Sequence, residues 1–211
     1  MLSGAIIIAL LLFIPAGSIK YSGAWLFLGI LFVPMIIACI VLMMKNPSLL
    51  EKRLNAKEEQ NEQKLVLLFS AVMFLSAFIV AGLNFRFKWH ELPLWEIIAA
   101  AVIFLFAYIL YAEVLRENEY LSRTIEVQEN QKVVDTGLYG IVRHPMYMST
   151  VLLFLTIPLV LGSIISFVIM LLYIPIIVIR IRNEEKVLEE GLEGYSEYKK
   201  KVKYRLVPFI W

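Results

Sequence analysis

Side chains that could do chemistry gather at two places along this chain. The first is the segment Asp135–Tyr147, in which Arg143 is followed directly by His144. The second is the segment Arg180–Glu185, which ends in two adjacent glutamates. Guanidinium, imidazole and carboxylate groups in this combination can bind a small polar ligand through charged hydrogen bonds. They can also be membrane-interface anchors and surface ion pairs, which contribute little to stability.

The stretch between these two segments, Met146–Ile179, carries no charged residue. As one helix at about 1.5 Å per residue it would be roughly 50 Å long, which is too long for one membrane crossing. Gly162 and Ser163 lie near its middle, and Pro158 comes one turn earlier. These residues predict a helix-turn-helix hairpin, with one long tilted helix as the alternative. A hairpin would return its end to its beginning and bring the two polar segments together.

The composition indicates that lipid is part of the solvent of this chain. Of its 211 residues, 60% are hydrophobic and only 18% are charged, which is too apolar for a soluble domain of this size. Four further apolar stretches approach the roughly 20 residues that a spanning helix needs. They are Met1–Ile19, Tyr21–Met44, Leu65–Phe85 and Leu92–Ala112. We therefore predict an all-α integral membrane protein with about six spanning segments, the last two forming the hairpin.

The positions of lysine and arginine predict the orientation. With the amino terminus in the cytosol and six crossings, only Lys20, Arg86 and Lys88 of the 20 basic residues fall outside, in accord with the positive-inside rule. We expect a multi-pass protein with both termini cytosolic, a cytosolic connector at 46–64 and a C-terminal helix. We divide the chain into N-terminal membrane helices with the connector, residues 1–125, and a catalytic region with the hairpin, residues 126–211.

Several chemistries fit the sequence poorly. The net charge is +2, so no basic field predicts nucleic-acid binding. The two histidines, His90 and His144, and the one cysteine, Cys39, show no metal-ligand spacing, so we predict no metal. Neither a serine-hydrolase elbow nor a glycine-rich phosphate loop is present. The nearly charge-free spans weaken a transporter interpretation, and a non-catalytic scaffold stays open.

An ordered set of motifs occupies about the last 85 residues. It begins with the run 137–147, which contains Arg-His-Pro-Met-Tyr. After the apolar hairpin come Arg180, the pair Glu184–Glu185, and a Gly-Tyr-x-x-Tyr tail that starts at Gly194. This ordered set resembles the isoprenylcysteine carboxyl methyltransferase family, and the related membrane phospholipid methyltransferases share the layout.

This resemblance implies S-adenosyl-L-methionine as the cofactor and a lipophilic or prenylated substrate that enters from the membrane lipid. It implies two catalytic residues: Arg180, which faces a prenylcysteine-type carboxylate, and Arg143, which lies beside the pocket. The cofactor-binding residues that it implies are Gln128, Val133, Val134, Tyr139, His144, Pro145, Tyr147, Glu184 and Glu185. Carboxylates and tyrosine rings are suited to a cofactor that carries a sulfonium cation, an amino group and ribose hydroxyls.

A second family carries a similar pattern. Integral membrane sterol reductases of the C14 type end their cofactor region in a comparable Arg-His-Pro-x-Tyr pattern, so an NADPH-dependent sterol or isoprenoid reductase is the alternative. The methyl acceptor is also open at this point: a phospholipid amine, a thiol and an isoprenoid acid remain alternatives to the prenylcysteine-type carboxylate.

Overall fold

The computed structural model describes residues 2–54, 61–122, 125 and 127–211. These residues form nine α-helices and one 3-10 turn, and no strand occurs among them. The helices are α1 (Leu2–Ala16), α2 (Ser22–Lys45), α3 (Pro47–Leu54), α4 (Asn61–Phe87), α5 (Leu94–Glu117), α6 (Pro145–Val160), α7 (Ile164–Met170), α8 (Tyr173–Gly191) and α9 (Tyr195–Lys201). The 3-10 turn is Gly137–Gly140 and precedes α6.

This architecture is that of an integral membrane protein. Within the described residues, four segments are long and apolar enough to cross a membrane: Ser22–Lys45, Val66–Phe87, Leu94–Glu117 and the combined stretch Ile164–Gly191. The helices α1 and α6 are apolar but have only 15 and 16 residues. The all-helical membrane fold is therefore confirmed, and the count of six spans and their topology stay predictions.

The helices of the first half pack through aromatic rings. Phe27 of α2 lies 5.8 Å from Phe78 of α4 and 6.1 Å from Phe104 of α5, measured between ring centroids. Many apolar side chains of the same helices are exposed instead, among them Ile36, which is 47% exposed. An apolar outer surface around a packed interior is what a helix bundle presents to lipid.

The chain turns back at the position that the sequence indicates. Residues 161–163 separate α6 from α7, and Gly162 has the left-handed φ of 72° that glycine adopts at little cost. The side-chain oxygen of Ser163 accepts a hydrogen bond from the Ser166 backbone nitrogen and caps α7. The buried Asn84 of α4 donates to the Gly162 carbonyl at 3.3 Å and thus fixes the turn against the bundle.

The second arm of the hairpin differs from the single helix that we expected, because it is interrupted at Leu171 and Leu172. Pro175 has no backbone N–H, so the Leu171 carbonyl lacks its usual partner four residues on. The carbonyl accepts instead from the Ile174 nitrogen at 3.1 Å, a tighter turn. The interruption therefore follows from one proline in an otherwise helical run.

Parts of two predictions lie outside the described residues. The connector 46–64 begins with α3, as its Asn46-Pro47 start indicates, but residues 55–60 are not among those described. Glu126, the first residue of the predicted catalytic region, is also outside them. The division at 125/126 stays a prediction. The predicted C-terminal helix is present as α9.

Candidate functional site

The 3-10 turn before α6 is fixed by the end of α5. The Leu138 backbone nitrogen donates to the Glu117 carboxylate at 2.9 Å, and the Asn118 amide donates to the Tyr139 hydroxyl at 2.9 Å. Gly137 has a φ of 50°, and a Cβ there would collide with the Glu117 carboxylate. The turn therefore needs glycine both for its backbone conformation and for space. It holds the Tyr139 ring, which is 8% exposed, at a defined place.

The start of α6 is held by the C-terminal tail, which comprises residues 202–211. The backbone nitrogens of Arg143 and His144 donate to the carbonyls of Tyr204 and Arg205, both at 2.9 Å. Pro145 is the first residue of α6, where a missing N–H costs no helical hydrogen bond. The Arg-His-Pro motif thus connects the tail to the hairpin.

A buried ion cluster lies behind the start of α6, with the Glu185 carboxylate at its centre. Arg143 reaches Glu185 Oε1 at 2.7 Å, and Arg205 Nε donates to Oε2 at 2.9 Å. His144 Nε2 lies 3.3 Å from Oε1, and the Lys199 ammonium 3.9 Å from Oε2. Glu185 is only 3% exposed. This buried carboxylate joins α6, α8 and the tail, and its loss would leave the buried Arg143 guanidinium without its ionic partner.

Glu184, the neighbour of Glu185, faces a different direction. The Tyr147 hydroxyl of α6 donates to Glu184 Oε2 at 2.5 Å, and Arg180 Nε donates to the Tyr147 oxygen at 3.0 Å. Consecutive helical residues are about 100° apart, so one acid can face the ion cluster while the next faces α6. The two polar segments that the sequence places 33 residues apart at Tyr147 and Arg180 are therefore in direct contact.

These contacts form one wall of a cavity that encloses about 840 Å³, including the part open to solvent. The loop after α5, the 3-10 turn, the start of α6, α8 and α9 all contribute to its lining. Tyrosine rings supply much of the wall, through Tyr120, Tyr139, Tyr147, Tyr195 and Tyr198. The cavity is thus aromatic, with a carboxylate and guanidinium groups at one side.

Most of the residues that the resemblance implies line this cavity. They are Val133, Val134, Tyr139, Arg143, His144, Tyr147, Arg180 and Glu184. Three others do not line it. Gln128 donates its side-chain amide to the Tyr120 carbonyl at 2.6 Å, Pro145 is buried at the start of α6, and Glu185 lies in the ion cluster. The roles assigned to these three residues, and those assigned to the residues that line the cavity, stay predictions.

Two lining tyrosines belong to the Gly-Tyr-x-x-Tyr tail, to which the sequence assigned no role. Tyr198 donates its hydroxyl to the Tyr139 carbonyl at 2.7 Å. The Tyr195 hydroxyl is buried and has no partner among the residues that the structure describes. Burial raises the pKa of both phenols above the ordinary value, and the charges of Glu185 and Glu184 raise that of Tyr195 further. Both hydroxyls are therefore protonated at neutral pH, so each is able to donate a hydrogen bond, and that of Tyr198 does so.

The sequence match falls on the same part of the chain. Residues 95–193 match the family described as phospholipid methyltransferase, and they contain the 3-10 turn, the hairpin and both glutamates. This region is therefore similar to the phospholipid methyltransferase family. That family is the one of isoprenylcysteine carboxyl methyltransferase-like membrane methyltransferases, so the family resemblance of the sequence is confirmed.

The chain is also similar to a curated protein that is a reductase and not a methyltransferase. The Delta(14)-sterol reductase of Mus musculus is 28% identical over 91 residues, which are 42% of this chain and 22% of the reductase. The chain thus spans less than a quarter of the length of that relative. The described residues contain no group of three or more His, Cys, Asp or Glu side chains that could hold a metal ion.

Proposed function

We propose that this protein is an S-adenosyl-L-methionine-dependent methyltransferase that methylates a lipophilic acceptor at the cytosolic face of the membrane. The observation that carries the proposal is the contact of Tyr147 on α6 with Glu184 and Arg180 on α8 at one wall of the cavity. It lies within the region that matches a family of membrane methyltransferases. The same wall presents the Glu184 carboxylate, which suits a cationic methyl donor, and the Arg180 guanidinium, which suits an anionic methyl acceptor.

The residues of the cavity fit the cofactor. Its ammonium and ribose hydroxyls need hydrogen-bond acceptors, and its sulfonium needs negative charge or aromatic faces. The wall offers the Glu184 carboxylate beside the rings of Tyr139 and Tyr147, while Val133 and Val134 supply an apolar surface. His144 has Nε2 directed to Glu185, which leaves Nδ1 as the nitrogen for a ligand. When bound, the cofactor supplies an electrophilic methyl carbon.

For the acceptor we propose a prenylcysteine-type carboxylate, oriented by Arg180. A carboxylate is ionised at neutral pH, so it would accept the methyl group without a base, with S-adenosylhomocysteine as the leaving group. The protein then has to align the two reactants and exclude water. Arg180 is partly buried and is held by the Tyr147 hydroxyl, which fixes the direction of its guanidinium. Arg143 acts through Glu185 and the tail, as a positioning residue.

The proposed orientation places both termini and the cavity in the cytosol. The supporting pattern is the charge distribution, since 17 of the 20 lysine and arginine residues would lie on that side. In this arrangement the apolar part of the acceptor stays in the bilayer while its polar end reaches the Arg180 wall.

The test is methyl transfer by purified protein in detergent or nanodiscs. With the cofactor labelled in its methyl group, we expect label in a prenylated cysteine and none in a phosphatidylethanolamine. We also expect S-adenosylhomocysteine to raise the melting temperature, because a ligand that binds only the folded state stabilises it. Transfer to the phospholipid amine would reject the acceptor, and no melting shift at saturating ligand would reject the cofactor.

A reductase is the second candidate, and the similarity to the sterol reductase favours it. That interpretation requires binding of NADPH, whose phosphates would need the cationic groups of the wall. Titration with NADPH in the same melting experiment separates the two functions. A shift with NADPH and none with S-adenosylhomocysteine would replace the methyltransferase by the reductase.

A further inference from the structure

One hydroxyl in the wall of the cavity lacks a partner. Among the side chains that the structure describes, Tyr195 has the only buried side-chain oxygen or nitrogen without a hydrogen bond. Tyr195 is 4% exposed and is one of the residues that line the cavity. Folded proteins leave few buried polar groups unpaired, because each loses its hydrogen bonds to water without replacement. Such a group at a cavity wall indicates a ligand that completes it.

The position of Tyr195 is fixed by its surroundings. Gly194 has a φ of 83°, a left-handed conformation that turns the chain from the end of α8 into α9. The ring of Tyr195 then packs with Leu192, Tyr198 and Val202 in a separate buried cluster. The hydroxyl oxygen of this packed ring is buried from solvent.

Tyr198 provides an internal comparison. It lies three residues later on the same helix, is 6% exposed, and has its ring centroid 5.7 Å from that of Tyr195. Its hydroxyl donates to the Tyr139 carbonyl at 2.7 Å, so it has a partner within the protein. Of two adjacent, equally buried phenols, one has a structural bond and the other has none.

We propose that Tyr195 is a binding residue for the cofactor, and that its hydroxyl donates a hydrogen bond to an acceptor atom of the bound molecule. This inference rests on the proposed function. A phenol is protonated at neutral pH, so its hydroxyl can donate, and burial raises the pKa of Tyr195 further above its ordinary value. The acceptor atom belongs either to the nucleoside part, a ribose hydroxyl or a ring nitrogen, or to the carboxylate of the amino-acid part.

The experiment compares Tyr195→Phe with Tyr198→Phe in purified full-length protein. Melting temperatures are measured without ligand, and the Kd of S-adenosylhomocysteine is measured by calorimetry. Tyr195→Phe should melt at the wild-type temperature or above it, because it removes an unsatisfied hydroxyl, and should weaken binding about tenfold. Tyr198→Phe should lower the ligand-free melting temperature and change the Kd less.

Two results would overturn the inference while the wild type still binds. One is an unchanged Kd in Tyr195→Phe. The other is a ligand-free melting temperature that falls as far as in Tyr198→Phe, since the hydroxyl would then have a partner within the protein. Absence of binding by the wild type would instead reject the proposed function, and this inference with it.

A second ligand locates the acceptor atom. Methylthioadenosine has the nucleoside and lacks the amino-acid part. A tenfold loss for both ligands in Tyr195→Phe assigns the bond to the nucleoside, and a loss for S-adenosylhomocysteine alone assigns it to the carboxylate. Either result supports the role of Tyr195.

Discussion

The two halves of this molecule differ in the contacts that stabilise each of them. In the helices before residue 118, the interior consists largely of packed rings and aliphatic side chains, such as Phe27, Phe78 and Phe104. From residue 137 onward, buried charges cross between elements, with Glu185 at their centre. The comparison indicates that the first half supplies a stable support within lipid. In the second half, buried ion pairs hold polar groups in position. Mutations in the two halves should therefore differ in what they change.

Removal of the central carboxylate should have the largest effect. Glu185→Ala leaves Arg143 and Arg205 without their buried partner, and we expect a loss of about 3–5 kcal/mol in the free energy of unfolding. Ligand binding should fall as well, because the tail and the start of α6 lose their connection. Thermal unfolding and calorimetry measure the two effects. The matched control is Glu190→Ala on the exposed face of the same helix; equal melting temperatures for the two variants would contradict the role of the cluster.

A large truncation in the first half should act on stability alone. Phe104 is 1% exposed and packs against Phe27 and Tyr108. We expect Phe104→Ala to lower the free energy of unfolding by about 3 kcal/mol, the lower end of the range for such changes. The Kd of S-adenosylhomocysteine for the folded fraction should stay at the wild-type value. A tenfold weaker Kd at a temperature where the variant is folded would show that the halves are not separable in this way.

A smaller effect is expected at the turn that joins the halves. Gly137→Ala has to adopt a left-handed backbone and displace the Glu117 carboxylate, so we expect a loss of about 1–2 kcal/mol in stability. Tyr139 lies in the same turn, so binding should weaken too. Gly29→Ala is the control, because a Cβ there meets nothing within 4 Å. The prediction is wrong if both variants melt at the same temperature.

The smallest effect is expected at the exposed pair of Asp135 and Lys201. Lys201 donates to Asp135 at 2.7 Å and lowers the pKa of that carboxyl. A carboxyl group whose pKa is lower in the folded state than its ordinary value of 3.8 stabilises the folded protein at pH values above 3.8. This stabilisation is lost as the pH falls through the folded-state pKa. Since the pair is exposed, Asp135→Asn should have nearly the same melting temperature as the wild type at pH 5 and at pH 7. A clear difference at pH 7 would mean that this pair belongs with the buried network.

The sequence predicts the helices and the turn because both depend on local properties. Charge-free length determines the spans, and Gly162-Ser163 in the middle of an overlong apolar run indicates the reversal. The interruption at Leu171 was missed although its cause, Pro175, is visible in the sequence. Pro175 is the third residue of α8, and proline is tolerated in the first turn of a helix, so its effect on the preceding turn depends on packing that the sequence does not show.

The site is less accessible to sequence reasoning. The pair Glu184-Glu185 is obvious in the sequence, but the direction that each acid faces depends on how α8 is rotated against α6. The unpaired hydroxyl of Tyr195 could not be inferred at all. The Gly-Tyr-x-x-Tyr spacing places both phenols on one helix face, and only the position of the Tyr139 carbonyl decides which of them has a partner.

The most direct test of the central claim is a double-mutant cycle on the Kd of S-adenosylhomocysteine, with Tyr147→Phe and Glu184→Gln. If the two residues bind the ligand as one hydrogen-bonded unit across the hairpin, the double variant should bind about as weakly as the weaker single variant, which is strong non-additivity. Strictly additive losses, or no loss in Glu184→Gln, would contradict the account.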